Sequence, residues 1–508
     1  MRHGRTTLAA ATAALGLAAC SPESSDRLPL DPALARAGTV TSQPAQAQAL
    51  LPQVTLKPII TSGDPFPGAP AGAGEDQTWG PLPDGLGGYL GADGNLVLYA
   101  NHELDGRGIP LSDGSAPYKW ARVSRLLLDR KGLGVLEGSY AIDQAKAAQG
   151  LFERLCSAFW AGLPEGVGYP GIFLTGEEST SPGKGRQLAV DAAGRITEMP
   201  WFGLYAHENQ VVIPGFEGQV VFIGLDDTAG ASELYMYVAA SLDAALAGQG
   251  KLYVLASSAL THAGNLTEGR TVPVSFREIE NPMSLTTPAA LQRRVDSIGA
   301  LPFVRIEDGE ADQAPGRRTP GLYFVDTGRA STTGRVVPGL LNAICTDDGA
   351  TARVCDPAGS IYRLTWADRR DPARGGELKL IERSQGAATE WASPDNIATS
   401  PRGLMLQEDP AYPGFQRAPR IWYLGYDGTR GLKPALAVAE AINPGCDEAI
   451  GGGAATCWET SGIIDASAWL GAGSWLFVTQ AHGLPFTFNG ASSPGESGQL
   501  LYLRLPGS

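Results

Sequence analysis

The sequence predicts an all-β fold, either an array of β-sandwiches or a β-propeller. Three observations lead to this prediction: short apolar runs end at turn residues, 66 Gly and 37 Pro accompany 43% hydrophobic residues, and regular strand–helix alternation is absent. A turn-rich chain with this much apolar side chain folds around a core. Repeated short strands without intervening helices are typical of sandwiches and propellers.

Ten apolar runs are the predicted strands. Each is rich in β-branched or aromatic residues and is bounded by Gly, Pro, Asp or Asn. They are residues 94–103, 121–129, 171–178, 218–227, 321–328, 360–368, 403–409, 420–427, 474–482 and 498–506. Helical patterns are few, and we expect short helical insertions at residues 239–248 and 435–442.

The N-terminus has the features of an export signal. Two arginines lie within residues 1–5, and residues 6–19 are small or apolar but too few to span a bilayer. The run LAAC that ends at Cys20 resembles a lipobox, in which this cysteine carries a lipid. Ser21 then favours the outer membrane. The alternative is a plain secretory signal followed by an incidental cysteine.

We therefore expect three segments in the chain. They are a signal peptide at residues 1–19, a lipidated N-terminus and flexible tether at residues 20–62, and a folded domain at residues 63–508. No later run reaches the roughly 18 uncharged apolar residues of a membrane-spanning helix. The expected location is the outer membrane, facing the periplasm or the cell surface, with the lipid anchor as the membrane contact.

The charge balance excludes one class of partner. Asp and Glu number 53 against 39 Lys and Arg, which gives a net charge of −14. Proteins that bind nucleic acid need a basic surface, so we expect no nucleic-acid binding. An acidic chain handles phosphate only where bound cations reverse the local sign of the charge.

The five cysteines after Cys20 divide into two pairs and one single residue. Short polar or Gly-rich loops separate the members of each pair, and small-loop disulfides suit an oxidising compartment. The expected disulfides are Cys345–Cys355 and Cys446–Cys457. Cys156 is left over, and from the residues alone it is most simply a buried, inert thiol.

Several predicted strands run apolar and then end in polar or acidic residues. The endings are Asn101-His102-Glu103, Gly176-Glu177-Glu178, Asp226-Asp227, Gln407-Glu408-Asp409 and Gln480-Ala481-His482. The innermost strand of each propeller blade runs along the central channel, so its end can deliver one carboxylate to a shared axis. Such a cluster requires hard cations, and oxygen-rich sites suit calcium first. The alternative is that these acids only solvate the turns after the strands.

From about residue 80 to the end, the sequence resembles the PhoX family of extracytoplasmic alkaline phosphatases. The resemblance rests on the order of several blocks rather than on any one of them. The blocks are PDGLGGYL (83–90), LYANHE (98–103), RLCSA (154–158), FLTGEE (173–178), LYAHEN (204–209), IGLDDTAGASELYMYV (223–238), FVRIEDGEAD (303–312), SPDNIATSPRGLMLQED (393–409) and SGIIDASAWLGAGSWLFVTQAH (461–482).

The resemblance implies a six-bladed β-propeller with an axial metal site. That site holds ferric iron, bridged by an oxo group and a cysteine thiolate, together with calcium ions. The matching metal-ligand positions are Glu103, Cys156, Glu178, Glu208, Glu307, Asp395, Glu408 and Asp409. Arg305 matches the arginine that contacts phosphate. The resemblance therefore implies that Cys156 is a metal ligand. The interpretation of Cys156 as a buried, inert thiol also stays open.

Three departures separate this chain from the family pattern. The second cysteine of the family is Gly176 here, and ten extra residues (GLPEGVGYPG) lengthen the spacing from Cys156 to Glu178. The twin-arginine export signal is also missing, because His3 and Gly4 separate the two N-terminal arginines. Iron is therefore the less secure cofactor, whereas the carboxylates for calcium are kept.

The predicted function is metal-dependent hydrolysis of phosphate monoesters by a monomer outside the cytoplasm. Clustered metals would neutralise phosphoryl oxygens and activate a water, and a guanidinium can grip two phosphoryl oxygens. Two alternatives remain open. One is a phosphodiesterase or phytase-like hydrolase on the same metals, and the other is a calcium-stabilised propeller that binds a ligand without catalysis.

Overall fold

A computed structural model describes residues 38–328, 337, 358–386, 389–409, 417–428, 431–442 and 458–508. One compact unit spans Ala37–Ser508. Within the described residues no helix is long and apolar enough to cross a membrane. Cys20 and the four cysteines of the expected disulfides lie outside the described residues.

Antiparallel groups of four strands follow one another along the chain after β1 (Ala47–Ala49) and β2 (Thr55–Thr61). The first group is β3 (Pro83–Leu90), β4 (Leu96–His102), β5 (Arg122–Leu128) and β6 (Val135–Ile142). The second is β7 (Leu155–Ala161), β8 (Ile172–Glu177), β9 (Gln187–Asp191) and β10 (Ile196–Glu198). The third is β11 (His207–Val212), β12 (Val220–Asp226), β13 (Leu234–Ala239) and β14 (Gly250–Ala256), followed by β15 (Thr271–Glu278).

The second half of the chain continues in the same way. The fourth group is β16 (Ile306–Ala311), β17 (Gly321–Asp326), β18 (Ser360–Trp366) and β19 (Gly376–Arg383). The fifth is β20 (Pro394–Ser400), β21 (Gly403–Glu408), β22 (Arg420–Gly425) and β23 (Leu436–Ala441). The last holds β24 (Glu459–Asp465), β25 (Ser474–His482) and β28 (Glu496–Arg504), with the hairpin β26 (Thr487–Phe488) and β27 (Ala491–Ser492) inserted. Short helices are α1 (Gln144–Gly150), α2 (Leu242–Leu246), α3 (Pro288–Ser297) and α4 (Ser467–Leu470).

The innermost strands of these groups form a closed ring. Among the described residues, β3 contacts β7, β7 contacts β11, β11 contacts β16, β16 contacts β20, β20 contacts β24, and β24 contacts β3. The prediction of an all-β, propeller-like fold is therefore confirmed. The third and fourth groups share one nine-stranded sheet through β15 and β19. The number of blades stays a prediction for that reason.

The apolar core lies between neighbouring sheets. All residues of β4 and of β12 are buried, which means that both faces of these strands are covered. For example, Val97 and Tyr99 of β4 belong to the same cluster as Phe173 of β8 and Val190 of β9. A fully buried side chain of this size contributes about 1.5–3 kcal/mol. Stacked sheets explain why the strands are continuous apolar runs rather than alternating ones.

Two sequence predictions differ from the structure. Strand β23 occupies most of residues 435–442 instead of a helix, because this segment pairs with β22 on one side and with β1 on the other. The predicted tether ends earlier than residue 62: β1 pairs with β23, and β2 pairs with β28. The Ala, Pro and Gln content of this region concealed strand β2, whose last three residues are buried. The helix expected at 239–248 is present as α2.

Candidate functional site

The innermost strands carry β-bulges that share one position. In five of them the bulge sets two residues against one on the neighbouring strand. A bulge breaks the alternation of side chains and re-aims the residues it contains. The first bulge residue is acidic or a cysteine in every case: Asp84, Cys156, Glu208, Glu307 and Asp395. One repeated backbone irregularity therefore gathers five ligand-type side chains.

The second strand of four groups adds another acidic residue directly after its end. The backbone N–H of this residue donates to the carbonyl two positions before the bulge residue, at 2.9–3.0 Å. The residues held in this way are Glu103, Glu178, Asp227 and Asp409. Four groups thus contribute two potential metal ligands each.

Most of these residues line a cavity of 630 Å³. Ten acidic residues and three arginines face it. Eight residues predicted from the sequence are among its lining residues: Glu103, Cys156, Glu178, Glu208, Arg305, Glu307, Asp395 and Asp409. Strand ends that are far apart in sequence therefore do converge on one space.

Glu408 is placed elsewhere, although the sequence offered it as a ligand beside Asp409. Its carboxylate is fully buried and pairs with Arg417, with a shortest N–O distance of 2.5 Å. It also accepts hydrogen bonds from the Trp422 indole and the Ala392 backbone, both at 2.9 Å. Glu408 is thus part of a satisfied network that holds the sheet and does not line the cavity.

Asp84 is a site residue that the sequence analysis missed. Both of its carboxylate oxygens are used: Ser461 Oγ donates at 2.7 Å to one, and Gln480 Nε2 donates at 3.0 Å to the other. The Cys156 thiol donates to the second oxygen at 3.1 Å. Within PDGLGGYL this aspartate looks like an ordinary turn residue. The repeated spacing between a bulge acid and a strand-end acid was the signal that could have identified it.

In the part of the chain that the structure describes, possible ligand atoms form three overlapping triplets, and the atoms of each triplet lie within 4.8 Å of one another. The triplets are Asp84–Glu103–Cys156, Cys156–Glu178–Glu208 and Glu208–Asp227–Glu307. Cys156 and Glu208 each belong to two of them. The arrangement can therefore hold neighbouring cations that share ligands.

A second layer of hydrogen bonds positions these ligands. Ser157, the second bulge residue of β7, donates to Glu208 Oε1 at 2.7 Å. The Asn396 amide donates to Ser157 Oγ at 2.6 Å. The Asn101 amide holds the Cys156 carbonyl at 2.6 Å. Such contacts fix the orientation of ligands before a metal arrives.

The buried acidic groups repel one another. Burial raises the pKa of Asp84, Glu208 and Glu307 well above the usual range, and neighbouring carboxylates raise it further. Burial also raises the pKa of Asp227 to about 7, although Arg305 opposes that shift. For the Cys156 thiol, burial and then Asp84 raise the pKa. A bound cation would reverse these shifts.

Two arginines occupy equivalent places in the second and fourth groups, two residues before the bulge. Arg305 Nη2 lies 2.5 Å from Asp227 and 3.0 Å from Glu307. Arg154 Nη2 lies 3.0 Å from Glu103 and also pairs with Glu178. A guanidinium carries five N–H donors, so each arginine has further donors to offer an anion in the cavity.

The histidines differ in their roles. His482 lines the cavity between Glu459 and Glu496, each 2.7 Å from one ring nitrogen. Burial alone would lower the pKa of His482, but the two carboxylates outweigh burial and raise it. Burial lowers the pKa of His102 and of His207 to about 3. Those two rings are therefore neutral and structural.

The structure explains why Gly176 replaces the family cysteine. A Cβ atom at this position would lie 2.3 Å from the His207 Cβ atom. No side chain fits there without moving strand β11. The second thiol is therefore excluded by packing, and Cys156 is the thiol of this site.

The chemistry of the donor set fits metal ions. Oxygen ligands dominate, which suits calcium, and the two triplets that contain Cys156 also suit iron. Within the described residues, Asp227 Oδ1 and Gln480 Oε1 are buried without a hydrogen-bond partner. Buried orphaned oxygen atoms of this kind are costly unless a ligand or water completes them.

The fold and the cavity define a class: a propeller-like β protein whose axial acids and arginines suit metal-assisted chemistry on an anion. The family model described as "Alkaline phosphatase PhoX" matches residues 190–426. This match confirms the resemblance to the PhoX family, and with it the prediction of an alkaline phosphatase-like hydrolase of phosphoric esters. The matched range includes Glu208, Asp227 and Arg305 but not Cys156.

A solved structure agrees with the fold. Pseudomonas fluorescens PhoX in complex with vanadate, a transition-state analogue, is similar with a TM-score of 0.60 at 13% identity, covering 92% of this chain and 98% of that one. Two others are more distant. A luciferin-regenerating enzyme has a TM-score of 0.36 at 9% identity, covering 84% of this chain and 92% of that one. A mutant of NanB sialidase from Streptococcus pneumoniae has a TM-score of 0.37 at 9% identity, covering 86% of this chain and 70% of that one. No curated protein sequence matches this chain.

Proposed function

We propose that this protein hydrolyses phosphate monoesters outside the cytoplasm, with calcium ions bound by the axial carboxylates. Iron is proposed for the triplets that contain Cys156. The observation that carries the proposal is the overlap of three ligand triplets beside Arg305. A purely structural calcium site does not require a guanidinium within reach of its ligands.

The chain contributes more than metal ligands. Bound cations would supply Lewis-acid activation of water and offset the charge of the ester. Arg305 and Arg154, from two different groups of strands, are placed to orient an anion between them. Ser157 and Asn396 keep Glu208 in position while the ligand changes. No side-chain nucleophile is needed for this reaction.

The proposed location rests on the N-terminal sequence. The apolar run and Cys20 support export and lipid anchoring, and the outer membrane is the proposed destination. The protein would then act on substrates in the periplasm or at the cell surface. We also propose that it acts as a monomer.

The test is a hydrolysis assay on p-nitrophenyl phosphate and on its bis-ester, with added calcium or with EGTA. We expect turnover of the monoester that EGTA abolishes and calcium restores. Elemental analysis of the same preparation would report calcium and iron per chain. Preference for the bis-ester would favour a phosphodiesterase, and failure to hydrolyse either ester in any metal condition would overturn the proposal.

A further inference from the structure

One part of the cavity lining is apolar. Leu82, Leu104, Ile109, Pro110 and Ala116 line the same space as the acidic residues. We call these five residues the apolar wall. Four of them lie in the loop that directly follows Glu103, so the wall begins where the ligands end. The wall and the metal ligands can therefore contact two ends of one small molecule.

The loop of the apolar wall is held in place by its own small core. Leu104 and Ile109 are buried in a cluster with Tyr118, Phe486 and Phe488. Backbone hydrogen bonds of 2.8 Å join Ile109 to Pro117 and Ser112 to Ser492. The wall is thus preformed, and little ordering is needed when a ligand binds.

The charges beside the wall cancel one another. Asp105 Oδ2 accepts from Arg107 Nε at 2.7 Å and lies 2.5 Å from Arg107 Nη2. Among the described residues that line the cavity, none is Phe, Tyr or Trp, and Gln480 is the one neutral amide or hydroxyl side chain. Against these described lining residues a nucleobase would find no such ring for stacking, and a second phosphate would meet an excess of carboxylates.

We propose that the apolar wall binds the alcohol part of the ester, and that the preferred substrates are phosphate monoesters of apolar alcohols. This inference rests on the proposed function. Hydrolysis breaks the P–O bond to the alcohol and forms a new P–O bond to water, and the apolar alcohol departs with a proton. The wall would stabilise the part of the substrate that does not react.

Binding of unreactive n-alkylphosphonates separates this inference from catalysis. Calorimetry on the calcium-loaded protein would compare methylphosphonate with hexylphosphonate. Each methylene group buried against the wall tightens binding by about fourfold. We expect hexylphosphonate to bind at least about 30-fold more tightly, which corresponds to two or three buried methylene groups.

Leu82→Asn is the decisive variant. Leu82 has a φ of +47°, a left-handed conformation that Asn adopts more readily than Leu, so the backbone should tolerate the change. The hexyl-to-methyl affinity ratio should fall by about 15-fold, because two methylene groups lose apolar contact. Leu163→Asn is the matched control: Leu163 is 68% exposed, follows the opposite end of β7, and should leave the ratio unchanged.

The outcomes distinguish the two proposals. A steep chain-length dependence without turnover of any ester would support the wall and overturn the phosphatase function. Turnover of p-nitrophenyl phosphate with equal affinity for the two phosphonates would overturn the wall and leave the function intact. An unchanged ratio in Leu82→Asn, or an equal loss in Leu163→Asn, would also overturn the wall.

Discussion

Replacing Glu208 by Gln should change stability in opposite directions with and without metal. Glu208 is 1% exposed and belongs to two ligand triplets. Gln keeps the shape and can still accept the Ser157 hydrogen bond. Without metal the substitution removes a charge that lies within 4.8 Å of three like charges, the carboxylates of Glu178, Asp227 and Glu307. With metal it removes a shared ligand.

The structure sets the size of both effects. Two like charges 4.8 Å apart repel by about 3.5 kcal/mol at an effective dielectric constant of 20. Partial protonation reduces the repulsion, since burial raises the pKa of Glu208. We take the repulsion within one such pair as the free energy of unfolding that the substitution adds. The melting temperature in EGTA should then rise by about 3 °C for a unit of this length. A tenfold loss of affinity at each of two calcium sites costs about 3 kcal/mol, so the melting temperature in saturating calcium should fall by about as much.

Thermal unfolding in EGTA and in calcium is the measurement. In EGTA, the difference in melting temperature between Glu208→Gln and the wild type should widen from pH 7 to pH 9. The reason is that a carboxyl group with a raised pKa destabilises the fold as it loses its proton. Glu177→Gln is the control, since Glu177 is fully buried and its ion pair with Arg186 (2.6 Å) lies outside the cavity. That variant should lose stability in both conditions. If Glu208→Gln shifted stability in the same direction with and without calcium, the shared-ligand argument would be refuted.

Three further predictions follow from other parts of the molecule. Arg305→Ala should lower kcat/KM for p-nitrophenyl phosphate by about 10²-fold or more while keeping its metal content by elemental analysis; wild-type turnover would make Arg305 a structural ion-pair residue. Burial raises the pKa of Glu310 to about 8, so the stability from its bound proton is lost as pH rises from about 5 through 8. Denaturant unfolding in EGTA at pH 6 and pH 9 should show a smaller pH difference for Glu310→Gln than for wild type, and an equal difference would contradict this account. Cys20→Ser should move the protein from the membrane fraction to the soluble fraction on immunoblots, and unchanged fractionation would argue against lipidation.

The sequence predicted the strands that are buried on both faces and missed those at the axis. All ten predicted runs coincide with strands, among them β4, β8 and β12. None of the ten is an innermost strand. Those strands, such as β16 (IEDGEA) and β20 (PDNIATS), are polar because they line the channel, so apolar periodicity cannot detect them.

This error changed the interpretation of the acidic strand endings. Glu103 and Glu178 follow second strands, not innermost ones, and the bulge residue of the next strand inward supplies the other half of each pair. The convergence was nevertheless predicted correctly, because second strands end on the same side of the ring as the bulges. The contact between Asp84 and Cys156 could not be predicted, since it depends on bulge register and on packing between two strands rather than on the local sequence of either.

The pairing of β2 with β28 has a consequence for the order in which the protein matures. Strand β28 lies between β25 and β2, so the last group of strands is complete only when both ends of the chain have met. The same group supplies Ser461 and Gln480, whose hydrogen bonds hold Asp84 beside Cys156. Until β28 pairs with β25 and β2, the sheet that carries these two donors is incomplete. We expect metal affinity to rise when that strand pairs, because the two donors then hold Asp84 beside Cys156.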